Sequence, residues 1–454
     1  MDEAVLQNQE ENEEILQYYS SNPHEPLKGC ECNLGFDDDY MYVWSGSGWG
    51  YSTIEYLSYP LWIWRYNLLT RRWSYCEVLD WPDDRKVPLG SENCTYALTE
   101  GFYLFLDIER NENAKYHFYI CTKSQESPTF QCEPIEHIPV GSNSEVDVDD
   151  RRYHFEFPMM SLDSDHFYFV RRGRTTRNYE SFSCLNVYEL RRTTKSGAWQ
   201  WECISTNVAG DNLTYADYKY IHDFLQSSSA FSLNLWHRFA FLFNKNVAVI
   251  NCAPLDEDEM QLSIQKLILF DLNCRKFTVC DICPDTVHGY PPVRCDFNAT
   301  VYGYKLYFMG GFEERGDNWV PLGDIWQLCL KTFTWTRMSR DLPEPVFSFG
   351  VKPTMDGCIY AFGGRSAQEQ LAFENNVELP TRWKHIRPQS RVQRFWVEPP
   401  SLKRLTMELL ADILFSKEHI QESGSLESDR QSNFEPLLSR PIEFVKYVRK
   451  YIYK

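Results

Sequence analysis

The sequence predicts an all-β fold: a six-bladed β-propeller followed by a short C-terminal helical segment. Three observations carry that expectation. The chain has 454 residues, more than one ordinary core serves, so several domains or a repeat architecture are required. Aromatic residues make up 16% of it and recur beside short β-branched runs, which favours many short strands over long helices. Finally, one cell of strand, glycine pair, polar loop, strand and aromatic residue occurs more than once.

The clearest cell runs from Lys305 to Met338. Leu306-Tyr307-Phe308-Met309 ends in Gly310-Gly311, a charged loop follows, and Asp324-Ile325-Trp326-Gln327-Leu328-Cys329-Leu330 leads through a turn to Trp335. Cys358-Ile359-Tyr360-Ala361-Phe362-Gly363-Gly364 begins a second copy ~50 residues later, a spacing expected of propeller blades. Upstream, Met41-Tyr42-Val43-Trp44 and Leu61 to Leu68 precede Trp73, and Leu267 to Leu272 precede Phe277. The intervals Tyr66 to Trp73, Phe270 to Phe277 and Leu328 to Trp335 share one register. Weaker cells at Phe102–Phe130 and His166–Trp201, with the inner strand Val247–Ile250, bring the expected total to six. Glycine at the end of an inner strand permits close backbone approach, and a large aromatic on a later strand can fill the wedge between neighbouring blades. The glycine pair is replaced elsewhere by Ser45-Gly46, Leu106-Asp107, Arg171-Arg172 and Asn251-Cys252, which marks a divergent repeat.

Before the blades, residues 1–27 carry Asp2, Glu3, Glu10, Glu11, Glu13 and Glu14 and read as an acidic, solvated arm. The propeller is expected over 28–398 and a helical tail over 399–454. A net charge of −18 argues against unspecific binding to nucleic acid or an anionic membrane. The start lacks the positive and apolar runs of a secretory signal, and 15 scattered cysteines read as free thiols of a reducing compartment, so a cytoplasmic or nuclear protein is expected.

Three chemical motifs carry little. Cys280-Asp281-Ile282-Cys283 has a metal-ligand spacing without a second pair, and strand-end thiols are the better reading. Ser45 to Gly50 lacks the Lys-Ser/Thr of a phosphate loop. The ten histidines specify no nucleophile site. No catalytic residue, metal or cofactor is expected.

In the tail, apolar residues at Leu402, Leu405, Leu409, Leu410, Ile413 and Leu414 follow helical spacing, with Ser401 as cap after Pro399-Pro400. A polar linker from Ser416 to about Asn433 and a second helix opened by Pro441 are expected next, its apolar positions being Ile442, Phe444, Val445, Val448 and Ile452. Periodicity alone fits a structural cap as well as a docking helix.

The glycine-paired cells, with Pro321-Leu322-Gly323-Asp324-Ile325-Trp326 and Leu330 to Trp335, resemble the kelch-repeat propellers. The tail adds to that likeness. Ser401, Leu402, Leu405, Thr406, Leu409 and Leu410 look like an elongin C-binding box, with Thr406 where Cys is common, and Pro441, Ile442, Phe444, Val445 and Val448 look like a cullin box. The resemblance implies a non-catalytic substrate receptor of a ubiquitin ligase, with elongin B/C and cullin-2 rather than cullin-5 as partners. It further implies recognition of client C-termini by the propeller. A free carboxylate is best met by Arg, and Arg152, Arg238 and Arg294, each just before an expected inner strand, are the candidates, although a plain surface or loop-stabilising role suits each of them better. The alternative is a kelch scaffold with a structural helical cap.

Overall fold

The structure is a computed structural model that describes residues 33–44, 62–79, 96–99, 102–109, 115–124, 127–135, 160–161, 166–177, 180–193, 199–204, 213–226, 238–251, 263–315, 318–367, 386–388 and 391–421. Its strands are formed by the short aromatic and β-branched runs. β1 (Asn33–Phe36), β2 (Tyr40–Trp44), β3 (Trp62–Asn67) and β4 (Trp73–Leu79) make an antiparallel meander, as do β5 (Tyr96–Thr99), β6 (Phe102–Glu109), β7 (Lys115–Lys123) and β8 (Thr129–Ile135). A third comprises β9 (Met160–Ser161), β10 (His166–Arg177), β11 (Glu180–Arg192) and β12 (Trp199–Cys203). The fourth is β13 (Arg238–Phe243), β14 (Asn246–Asn251), β15 (Lys266–Asp271) and β16 (Lys276–Asp281).

The next blade runs through β17 (Asn298–Tyr302) and β18 (Lys305–Met309), sends out a ribbon of β19 (Phe312–Arg315) and β20 (Asn318–Pro321), and returns as β21 (Asp324–Cys329) and β22 (Thr334–Asp341). The last sheet has three strands, β23 (Gly350–Pro353), β24 (Cys358–Phe362) and β27 (Val392–Trp396), with a second ribbon of β25 (Arg365–Ala367) and β26 (Ile386–Pro388) between them in sequence.

Hydrogen bonding therefore delineates a β-propeller of five blades among the described residues, not six separate ones. The expected first and second blades are one eight-stranded sheet. Their outer strands β4 and β8 pair in parallel from Glu77↔Thr129 to Leu79↔Gln131, which fuses the two meanders at the rim.

The register read from the sequence is a real structural repeat. Tyr66 pairs with Trp73, Phe270 with Phe277 and Leu328 with Trp335 across the same hairpin. At each turn the fifth residue folds back on the first: the N–H groups of Arg71, Arg275 and Phe333 donate to the carbonyls of Asn67, Asp271 and Cys329 at 2.9, 2.8 and 2.7 Å. Those three residues share a left-handed backbone, with φ of 58, 55 and 50°. Asn67 Oδ1 and Asp271 Oδ1 each accept two backbone N–H groups within the turn, the standard reason for an Asn or Asp there.

Apolar faces of successive sheets close the core. Val187 of β11 packs with Val249 of β14, Ile250 of β14 with Leu306 and Phe308 of β18, and Met309 of β18 with Ala361 of β24. Cys358, Tyr360 and Phe362 of β24 pack in turn on Leu34, Met41 and Val43 of the first meander, so the last sheet lies against the first.

The glycine pairs have the role expected of them. Gly310 and Gly311 adopt φ of 63 and 88°, and a Cβ at Gly310 would lie 2.5 Å from the Val346 carbonyl oxygen and 2.5 Å from the Phe349 ring. Where the pair is absent, the chain does something else. β10 runs straight through Arg171-Arg172 as part of a hairpin paired from His166↔Arg191 to Arg177↔Glu180, so no close turn is needed. Gly303, with φ of 58° but no neighbour within 4 Å, supplies a control. Gly303→Ala should cost about 1–2 kcal/mol, the left-handed penalty alone. Gly310→Ala should lower the urea midpoint clearly further, since an immovable carbonyl oxygen meets the new methyl.

Candidate protein-interaction site

The last sheet leads directly into the tail helix, Leu402–Gln421. Ser401 caps it: Arg404 N–H donates to Ser401 Oγ at 3.2 Å and Leu405 N–H to the Ser401 carbonyl at 3.0 Å. The helix runs past Leu414 and Ser416, where a linker was expected, because Ser416-Lys417-Glu418 holds no Gly or Pro to stop it.

Its two faces differ. On the inner face Ala411 is buried, and Glu408 accepts a bidentate pair of bonds from Arg394 of β27, Nη1 to Oε1 at 2.7 Å and Nη2 to Oε2 at 2.9 Å. Arg404 Nε, one turn back, donates to the same Oε1 at 2.9 Å. Burial by itself would raise the Glu408 carboxyl, but the hydrogen bonds from Arg394 and then Arg404 outweigh it and hold the group below the usual carboxylate range. On the outer face Leu402, Leu405 and Leu409 are 80, 47 and 61% exposed, an i, i+3, i+7 stripe of leucine facing solvent. Ser401 and Thr406 are exposed beside it, and the Thr406 hydroxyl donates to the Leu402 carbonyl at 2.8 Å. Leu410 sits at the edge of the stripe, half-buried. The six residues singled out for elongin C thus lie along one side of the helix, five of them exposed. Pro441, Ile442, Phe444, Val445 and Val448 lie outside the described residues.

The arginines singled out for client carboxylates fare differently. Arg294 is fully buried and committed internally: Nη1 and Nη2 donate to Asp324 Oδ1 and Oδ2, both at 2.7 Å, and Nη1 also donates to the Gly310 carbonyl at 3.0 Å. Its charge also stands over the Phe308 ring at 5.0 Å. It has the loop-stabilising role, because a guanidinium with no exposed side-chain surface cannot meet an incoming carboxylate. Asp324 accepts the Trp326 indole N–H at 2.6 Å as well. Burial alone would raise its carboxyl; the Arg294 hydrogen bonds and charge prevail and hold it below the normal range. Arg238 opens β13 opposite Asn251, and Arg152 lies outside the described residues.

Sequence reasoning missed the Arg394–Glu408–Arg404 cluster. The four-residue spacing of Arg404 and Glu408 was a visible signal, whereas Arg394 becomes a partner only through the packing of the helix on β27. Cys280 ends its run half-buried in β16, and Cys283 is exposed just beyond, its backbone tied to Phe333 and Trp335. Cys76, Cys203, Cys274, Cys280, Cys283, Cys295, Cys329 and Cys358 are free thiols. Tyr215–Gln226 forms a helix inserted between β12 and β13, anchored by buried Tyr218 and Ile221.

Comparison with known proteins adds to this geometry. Residues 294–340, the Arg294–Asp324 blade, match the family described as Kelch motif. The chain is similar to Kelch domain-containing protein 10 of Rattus norvegicus, 29% identical over 102 residues that cover 22% of this chain and 24% of that protein. The Homo sapiens protein of the same name is also 29% identical over 102 residues, 22% of each chain. Kelch domain-containing protein 3 of Bos taurus is 30% identical over 114 residues, 25% of this chain and 28% of that one. The match thus spans about a quarter of the length of these relatives. A solved structure titled "Structure of YjhT" aligns with 81% of this chain and 99% of its own, at a TM-score of 0.43 and 10% identity. The kelch motif at 294–340 and the partial likeness to Kelch domain-containing protein 10 support a divergent kelch-repeat chain.

Proposed function

We propose that this kelch propeller is the substrate-recognition adaptor of a cullin-RING ubiquitin ligase. The observation that carries the reading is the helix that leaves the last sheet with Leu402, Leu405 and Leu409 turned to solvent. A helix serving only as a cap gains by burying its leucines; this one buries Ala411 and an ion cluster and leaves the leucines for a partner. In this reading the propeller loops hold a client through its C-terminus, the stripe docks elongin C of an elongin B/C pair, and Pro441 to Val448 meets cullin-2. The protein performs no chemistry; ubiquitin transfer belongs to other subunits, in the cytoplasm or nucleus. The ring is six-bladed in this reading, with the fused meanders counting as two and β23-β24-β27 as the sixth. That is supported by the succession β1, β5, β9, β13, β17, β23, in which each first strand adjoins the next and the last adjoins β1.

Capture of purified elongin B/C by the full chain tests the docking step. Leu402→Asp with Thr406→Asp should abolish capture, since truncating a central anchor commonly costs about 2–4 kcal/mol, while thermal unfolding stays unchanged because both side chains are exposed. A wild-type chain that captures no elongin B/C removes the adaptor reading. The scaffold reading, with the helix as a structural cap, is favoured by the Arg394–Glu408 bond to β27 and would then stand. Peptide tails bearing a free carboxylate should bind the propeller, and equal binding of amidated peptides would exclude carboxylate reading.

A further inference from the structure

Beside buried Ala411, the tail helix meets the propeller through a charged cluster. Glu408 takes both guanidinium arms of Arg394 from β27 and the Arg404 Nε from its own helix, with Asp356 of the β23–β24 turn 4.0 Å from Arg404. The side chains of Arg394, Arg404 and Glu408 are 28, 18 and 13% exposed, so the cluster is largely shielded from water. Three leucines on the opposite face would gain by rolling inward, each leucine burial being favourable. A roll would carry Glu408 away from Arg394 and leave a half-buried guanidinium without its carboxylate, which is strongly unfavourable. The bidentate geometry also fixes the angle of approach, which a greasy contact would not.

We propose that Glu408, held between Arg394 and Arg404, is the positioning residue that sets the rotation of the tail helix and keeps the Leu402, Leu405 and Leu409 face outward. The helix is then a rigid arm of the propeller, so that a bound client and the docked partner keep a fixed relation. The proposal deepens the adaptor reading and rests on it only for the identity of that partner; the helix orientation is measured without one.

The test uses hydrogen exchange of the full chain, comparing amides of 402–411 with those of β18 as an internal reference. Glu408→Arg and Arg394→Glu, each alone, should speed exchange in the tail helix at least tenfold and leave β18 unchanged. The double swap Arg394→Glu with Glu408→Arg restores the attractive pair across the seam but sets a second arginine one turn from Arg404, so helix exchange should slow at least threefold relative to either single variant without reaching wild type. Should either charge reversal also loosen β18, Glu408→Gln, which keeps shape and removes charge, decides by the same helix-selective reading. Leu405→Cys reports the face directly when labelling is read on its own peptide by mass spectrometry, since Cys274 and Cys283 are exposed thiols too: maleimide labelling there should be fast with the cluster intact and slower by tenfold or more when Glu408→Leu and Arg394→Leu remove it. Unchanged helix exchange in the single variants, a double swap no better than they are, or equal labelling with and without the cluster would overturn the proposal. Failure to capture elongin B/C with an intact exchange pattern would instead remove the adaptor reading and leave the positioning role standing.

Discussion

Replacing Arg294 by Met is expected to lower the unfolding free energy by about 3–5 kcal/mol, the cost of removing one partner of a buried ion pair. Asp324 would keep the Trp326 indole N–H but lose both guanidinium bonds and the charge that offsets its burial. The Gly310 carbonyl would lose a donor at the point where the glycine pair turns. Urea unfolding followed by tryptophan fluorescence measures the loss. The pH profile supplies an independent reading. Asp324 is depressed in the folded protein, so its contribution is present above its unfolded pKa, about 3.9, and is lost as pH falls through the lower folded value. In Arg294→Met the hydrogen bonds and charge that most lower the Asp324 carboxyl are gone, so its depression shrinks and less stability is lost as pH falls. Acid destabilisation between about pH 5 and pH 2 should therefore be shallower in the variant than in wild type. Pairing it with Asp324→Leu should recover part of the loss, because two apolar residues avoid the stranded buried charge that either single change leaves. A double variant as unstable as the sum of the singles would show that the pair is not coupled.

The same pair shows where sequence reading reaches its limit. The blade around Lys305 to Met338 is legible because its order rests on local rules: an apolar run, glycines where φ must be positive, and an aromatic seven residues after its cross-strand partner. The turn after Asn67, Asp271 and Cys329 is legible for the same reason, each residue acting on groups within four positions. Arg294 is legible as a candidate for a client carboxylate, with a plain surface or loop-stabilising role the better reading. The carboxylate it binds is Asp324, thirty residues away, brought near by the ribbon that joins β18 to β21. No local pattern reports such a partner. Sheet boundaries are less legible for a related reason: pairing within each meander is encoded by hairpins, whereas the parallel contact of β4 with β8 joins strands from different meanders. The tail helix stands between these cases. Its cap and leucine spacing were readable, but which face turns outward is decided by Arg394 on β27.

Trp335→Ala should have an effect of the same size, about 3–5 kcal/mol, the usual cost of emptying a buried aromatic site. Trp335 has no exposed surface and packs edge-on against Phe308, ring centroids 5.7 Å apart, within the core shared by the β13–β16 sheet and its neighbour. Its indole N–H donates to the Ile264 carbonyl at 3.4 Å, so the side chain spans the two blades by contact and by hydrogen bond. Phe277 holds the equivalent position one blade earlier, against Phe270 at 4.7 Å, without any N–H to offer. Trp335→Phe therefore separates the two contributions. It should restore most of the packing and leave the Ile264 carbonyl without this donor, a residual deficit of about 1–2 kcal/mol. Hydrogen exchange should locate the damage: in Trp335→Ala, amides of β15 and β21, on either side of the wedge, should lose protection together. Loss confined to β21 and β22 would mean that Trp335 stabilises only its own sheet, and the wedge role inferred from the repeating aromatic would be wrong.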